Sequence, residues 1–275
     1  PNPLLLGSVL KPENLSDSIA MINTGDNPVN FKIYDVYEFC SLDPSSTESN
    51  GTWDSNDGCS SPTTHEEVDY FYNSSSQSLH SWFAHIPGLR VVMPYTVQDA
   101  RDLLISSVLC KDPVIYIDDR WLYSLTEEID DSITEKELHK EKPMVIKQGS
   151  DLTLVGNSFS TYLAVQVADE LQKLGTSCEV IDIRVLNPYD PETVINSVAK
   201  TRKLLVIDGG WKNSGFAAEI LASIHEKADS EFPAFISKRI SLANSPAPTS
   251  RKLEEIYYPT KEVIIEEAKN IVSKS

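Results

Sequence analysis

The chain reads as an α/β protein, and three features of the sequence predict this. From Gln77 onward, short apolar runs alternate with longer stretches whose apolar residues recur at helical spacing. Several of the short runs are nearly continuous in Val, Ile and Leu, as strands covered on both faces of a mostly parallel sheet must be. A charged stretch, TEEIDDSITEKELHKEK, divides the alternation into a shorter and a longer block.

In the shorter block, LRVVMPY predicts a buried strand. TVQDARDLLISSVL then predicts a helix with Val97, Ala100, Leu103, Leu104 and Val108 on its inward face, opened by Thr96 as N-cap. PVIYIDD predicts the next strand, completing the strand, helix, strand unit of a parallel sheet. The boundary falls in the charged segment 126–143, expected to be a solvated linker with few apolar contacts, so that 144–275 should fold on its own. In that second block DLTLVGNS predicts a strand. STYLAVQVADELQKLG predicts a helix with Leu163, Val167, Leu171 and Leu174 inward and Gly175 as its stop. CEVIDIRVL is read as one strand, followed by a helix from Pro191 to Lys200, the strand KLLVIDGG, a helix through FAAEILASIHEKA, the strand AFISKRISL and a last helix from Lys261.

The first 75 residues carry one clear signal. Phe31 to Phe39, FKIYDVYEF, alternates like a half-buried strand. The segment 41–76 is rich in Ser, Thr, Asn, Asp and Gly, and is expected to form a long mobile loop or a disordered stretch.

Composition narrows the function classes. With 24 basic and 41 acidic side chains in 275 residues, the formal charge of -17 opposes binding to nucleic acid or to an anionic membrane surface. No apolar stretch approaches the roughly 20 residues of a membrane span, and the opening PNPLLLGSVL lacks the basic start of a signal peptide, so a cytoplasmic location is expected. Cys40, Cys59, Cys110 and Cys178 form no C-x-x-C pair, which argues against a zinc site and leaves a Cys40–Cys59 bridge open.

Longer stretches carry a family likeness. SQSLHSWFAHIPGLRVVMPYTVQDARDLL with DPVIYIDDRWLY resembles the last third of the pyrimidine-binding domain in beta subunits of thiamine-diphosphate-dependent 2-oxo acid dehydrogenases. EVIDIRVLNPYD, LLVIDGGWKNSGFAAEI and RISLANSPAPTSRKLEEIYYP resemble the transketolase C-terminal domain that follows it there. The resemblance implies a partial pyrimidine-binding domain at 76–125, a complete C-terminal domain at 144–275 and an unmatched region at 1–75. It also implies an alpha subunit that holds the diphosphate through magnesium, oxidative decarboxylation of a 2-oxo acid with acyl transfer to a lipoyl group, and an oligomer that in some members docks an acyltransferase core.

The same resemblance nominates residues. Ser75 stands where the family has a histidine, and Ser75 and Gln77 fall at its cofactor contacts; a serine hydroxyl cannot supply a proton near neutral pH as an imidazole does. His80 and His85 lie near that place, with a structural role preferred for His85. Ser107, Cys110 and Asp112 match a loop whose carbonyls hold a monovalent cation such as potassium in some relatives. Arg184, Trp211 and Phe216 match positions near a subunit interface. Gly209, Gly210 and Gly215 sit in a strand-to-helix turn where amides could hold phosphate, but close packing is the preferred reading without G-x-G-x-x-G spacing. Asp118, Asp119 and the acids from Glu127 to Asp131 read as solvated charge rather than metal ligands. With Ser75 in place of histidine and the family's pyrimidine-activating carboxylate not found, the second reading is a non-catalytic assembly module.

Overall fold

The computed structural model describes residues 19–23, 31–35, 78–129, 132, 136–231, 234–248 and 250–274. Ser75, Gln77, Cys40, Cys59 and the whole of the segment 41–76 expected to be mobile lie outside them.

The chain runs through β1 (Ile19–Asn23), β2 (Phe31–Asp35), α1 (His80–Ala84), β3 (Arg90–Val92), α2 (Val97–Leu109) and β4 (Val114–Ile117). It continues through β5 (Met144–Lys147), β6 (Leu152–Gly156), α3 (Phe159–Lys173), β7 (Cys178–Asp182), β8 (Val185–Asn187) and α4 (Glu192–Thr201). β9 (Lys203–Trp211), α5 (Phe216–Glu231), β10 (Ile236–Leu242), α6 (Arg251–Tyr257) and α7 (Lys261–Val272) complete it. The strands form two five-stranded sheets, ordered β2-β1-β4-β3-β8 and β10-β9-β6-β7-β5. In the second sheet, β10, β9, β6 and β7 are parallel and β5 closes the edge antiparallel. That is the mostly parallel α/β sheet expected from its apolar strands. In the first sheet, only β3 and β4 are parallel, joined by α2 as the strand, helix, strand pattern predicts. The FKIYDVYEF signal is realised at Phe31–Asp35, and the resulting strand joins this sheet through β1, which the sequence did not suggest.

CEVIDIRVL, read as one strand, is two. The run leaves the second sheet at Asp182, turns through Arg184 with φ of 51°, and re-enters as β8 antiparallel to β3 in the first sheet. One cluster of buried side chains therefore includes Val91 and Ile115 of the first sheet and Met93 just after β3, with Val155, Ile181, Leu186 and Val206 of the second part of the chain. The charged segment is also docked rather than solvated throughout. Leu138 is buried with Val92, Leu103, Tyr116 and Val185, and Lys136 pairs with Asp99. Burial of this kind joins the two blocks, because separating them would return large apolar side chains to water.

Helix faces follow the sequence in α3, where Val167 and Leu171 are buried, although Leu174 has passed the helix end and is exposed before Gly175 (φ 85°). α2 departs from expectation. Thr96 does cap it by accepting from the Asp99 amide, but the buried residues are Asp99, Asp102, Leu103, Ser106 and Ser107. Val97, Ala100, Leu104 and Val108 are half-buried. The helix is rotated because its acids have cationic partners inside the molecule.

Candidate functional site

α1 and the strand-to-helix turn between β9 and α5 meet in a polar junction walled by aromatic rings. His80 is fully buried, and its Nε2 lies 2.9 Å from Asp208 Oδ1 at the inner part of β9. Its Nδ1 lies 2.6 Å from Ser78 Oγ. Asp208 in turn accepts from the Gly210 amide at Oδ1 and from the Ala217 amide, in the first turn of α5, at Oδ2, each at 2.9 Å. Burial pushes this carboxyl up, but the His80 ring and the two amides outweigh that and hold it below the usual carboxylate range. An ionised Asp208 can only accept, so the hydrogen between the two rests on His80 Nε2, and in that tautomer of the imidazole Nδ1 is the atom that faces the Ser78 hydroxyl.

The glycines of IDGG make this approach possible. A Cβ on Gly210 would stand 3.0 Å from His80 Cε1 and 3.2 Å from Asp208 Oδ1. One on Gly215 would stand 2.1 Å from the Trp211 carbonyl oxygen. Close packing is what Gly210 and Gly215 provide. Beside the junction is a cleft of about 390 Å³ lined by Ser78, Leu79, Ser81, Trp82, His85, Trp211, Asn213, Ser214 and Gly215. His85 thus reaches the cleft wall as well as closing the turn after α1.

A second polar centre joins the two sheets. Arg184 Nη2 donates to Asp99 Oδ1, and Lys136 donates to the same oxygen. Arg184 also lies 3.5 Å from Glu141. Asp182, at the end of β7, accepts from Thr161 Oγ1 at 2.7 Å. Burial, helped by the nearby Asp99 charge and only partly offset by Thr161 and Arg184, pushes Asp182 up to about 7. Asp99 Oδ2, Asp182 Oδ2, Arg184 Nε and Ser158 Oγ are buried without a hydrogen-bond partner.

The other nominated residues are placed as follows. Arg184 is bound within the chain, its guanidinium holding the turn between sheets rather than facing outward. Phe216 is a core residue packed edge-on against Tyr189, which removes it from any exposed interface. Trp211 is half-buried and donates from Nε1 to the Ser245 carbonyl and to Tyr257 Oη. Ser107 Oγ donates to the Leu103 carbonyl, the Asp112 carboxylate accepts from Arg90, and Cys110 is the C-cap residue of α2. Asp118 is raised by burial, which the solvated reading did not anticipate. No group of three His, Cys, Asp or Glu suited to a metal occurs among the described residues. Asp208 escaped sequence reasoning because it lies 128 positions from His80; the adjacent glycine pair was the one local signal.

A family model described as the transketolase C-terminal domain matches residues 141–264. Those residues form a transketolase C-terminal domain. Beyond it, the chain is 35% identical over 202 residues to the pyruvate dehydrogenase E1 component subunit beta of Dictyostelium discoideum, covering 73% of this chain and 56% of that protein. It is 39% identical over 188 residues to the 2-oxoisovalerate dehydrogenase subunit beta of the same organism, covering 67% and 49%. The subunit beta of Rickettsia felis pyruvate dehydrogenase is 31% identical over 196 residues, covering 71% and 59%. The chain is a distant homologue of these beta subunits and spans about half their length. Its fold is similar to that of a solved split-gene transketolase, an inactive beta4 tetramer, with a TM-score of 0.59 and 20% identity over 73% of this chain and 64% of that one.

Proposed function

We propose that this transketolase-type chain acts as a beta-type subunit of a 2-oxo acid dehydrogenase, working only beside an alpha-type subunit. The observation that carries the reading is the continuous 202-residue likeness, which crosses from the end of the first sheet's block into the C-terminal domain and so spans the β3–β8 junction that locks the two together. The reaction proposed is decarboxylation of a 2-oxo acid and transfer of the acyl group to a lipoyl carrier. Thiamine diphosphate, when bound, supplies the electron sink for that chemistry.

The cleft beside α1 is not built for a diphosphate. The cleft has no lysine, arginine or carboxylate in its lining, and no acid cluster there would hold magnesium. The diphosphate and magnesium are therefore assigned to the alpha partner, and this chain's part is orientation and assembly. Potassium at the Ser107–Asp112 loop and an acyltransferase core as a further partner belong to the same proposal. Ser75 favours a second reading, an assembly module without the chemistry, since the family histidine is replaced there.

The test is decarboxylation of pyruvate and of branched 2-oxo acids with an artificial electron acceptor, with and without a co-expressed alpha subunit. Turnover by the pair supports the subunit reading. Its absence with an intact complex supports the module, and Ser75→His should then restore part of the rate, on the scale of the 100- to 10,000-fold that general acid–base groups contribute.

A further inference from the structure

We propose that Ser78 is an activated nucleophile, set by His80 and Asp208, that accepts a short acyl group from an activated ester or thioester bound in the cleft beside α1. The proposal does not rest on thiamine chemistry. It rests on a continuous chain of hydrogen bonds, from Ser78 Oγ through both imidazole nitrogens to Asp208 Oδ1, at 2.6 and 2.9 Å. It rests equally on the position of that chain's outer end, since Ser78 lines the cleft while His80 and Asp208 are buried behind it.

The parts match what nucleophilic catalysis requires. Asp208, pinned by the Gly210 and Ala217 amides, is a positioning residue that fixes the ring and its tautomer. His80 is the base, with Nδ1 directed at the hydroxyl. Trp82, Leu79 and Trp211 give the cleft apolar walls, and its volume of about 390 Å³ suits a small acyl chain. Asn213 and Ser214 bring donor groups to the same cleft, of the kind that stabilises an oxyanion. In the first step Ser78 Oγ bonds to the acyl carbon while its proton moves to His80 Nδ1. The bond to the leaving alcohol or thiol then breaks, and that group departs with the proton. In the second step water attacks the acyl-serine through the same base, releasing the acid and restoring the hydroxyl.

The experiment uses the full chain, labelled with an alkyl fluorophosphonate, followed by intact mass and peptide mapping, and paired with p-nitrophenyl acetate hydrolysis. The expected result is one phosphonyl adduct on Ser78, slowed by p-nitrophenyl butyrate, absent in Ser78→Ala and formed about 100-fold more slowly or worse in His80→Gln. No adduct on Ser78 of the unmodified chain, or labelling there that His80→Gln leaves unchanged in a folded protein, overturns the proposal. Should His80→Gln fail to fold, the unmodified chain and Ser78→Ala decide it: an adduct confined to Ser78 and blocked by the short ester supports the site, and its absence refutes it.

Discussion

Two buried acids show how the same side chain is put to opposite uses. Asp208 is kept ionised by His80 and two amides, so removing the imidazole strips a bond to a buried charge. His80→Ala should cost about 1.5 to 3 kcal/mol in denaturant unfolding, the range for hydrogen bonds to charged groups. Asp182 is raised instead, up to about 7, by burial first. Its folded form holds a proton that the unfolded chain releases near the ordinary carboxylate value. Asp182 therefore contributes stability that is fully present below that lower value and lost as pH rises to about 7, with a slope approaching 1.4 kcal/mol per pH unit. Measured as the difference from Asp182→Asn, stability should fall between about pH 4 and 7; a flat difference would show that Asp182 stays ionised in the folded protein. None of this was legible beforehand. The sequence brought His80, Arg184 and the glycine pair to notice, but their partners lie 128, 85 and 130 positions away, and spacing along the chain carries no trace of such pairings.

Elements built on local pattern were legible for a physical reason: β6, β9 and α3 are buried by neighbours close in the α/β alternation, so apolar periodicity reports their burial directly. Elements fixed from a distance were not. CEVIDIRVL is evenly apolar, and nothing local marks Arg184 as the place where it changes sheets, because that turn is held by Asp99 from α2. Likewise the inward face of α2 was misjudged, since a helix normally buries its apolar side and here buries Asp99, which meets Arg184 and Lys136, and Asp102, which pairs with Arg101. Arg184→Ala should accordingly cost about 3 to 5 kcal/mol, the scale for breaking a buried ion pair. A loss below about 1 kcal/mol in thermal and denaturant unfolding would mean that Lys136 alone suffices for Asp99.

At the scale of the whole molecule, the expectation of an independent domain after residue 143 gives way to a shared core. A chain beginning at Pro143 would leave β8 without β3 and uncover the side chains that pack on Val91, Met93 and Ile115. It should bind a hydrophobic dye and aggregate where the longer chain melts cooperatively; a clean cooperative melt of the short chain would contradict this. Assembly is a matter of exposed surface. Trp121 packs on Phe159 and Tyr258 yet remains 56% exposed, and Ile256 is 82% exposed. Trp211 is tied to Ser245 and Tyr257 inside the chain. Trp121→Ala should therefore reduce the mass seen by light scattering more than Trp211→Ala does.

The proposed division of the cofactor between two subunits is tested most directly by calorimetric titration of thiamine diphosphate with magnesium into the chain alone and into its complex with an alpha-type subunit. Saturable binding to the complex is expected, and none to the isolated chain, whose cleft lacks cationic and acidic groups. Tight binding by the chain alone, or a stable complex that does not bind, would contradict it.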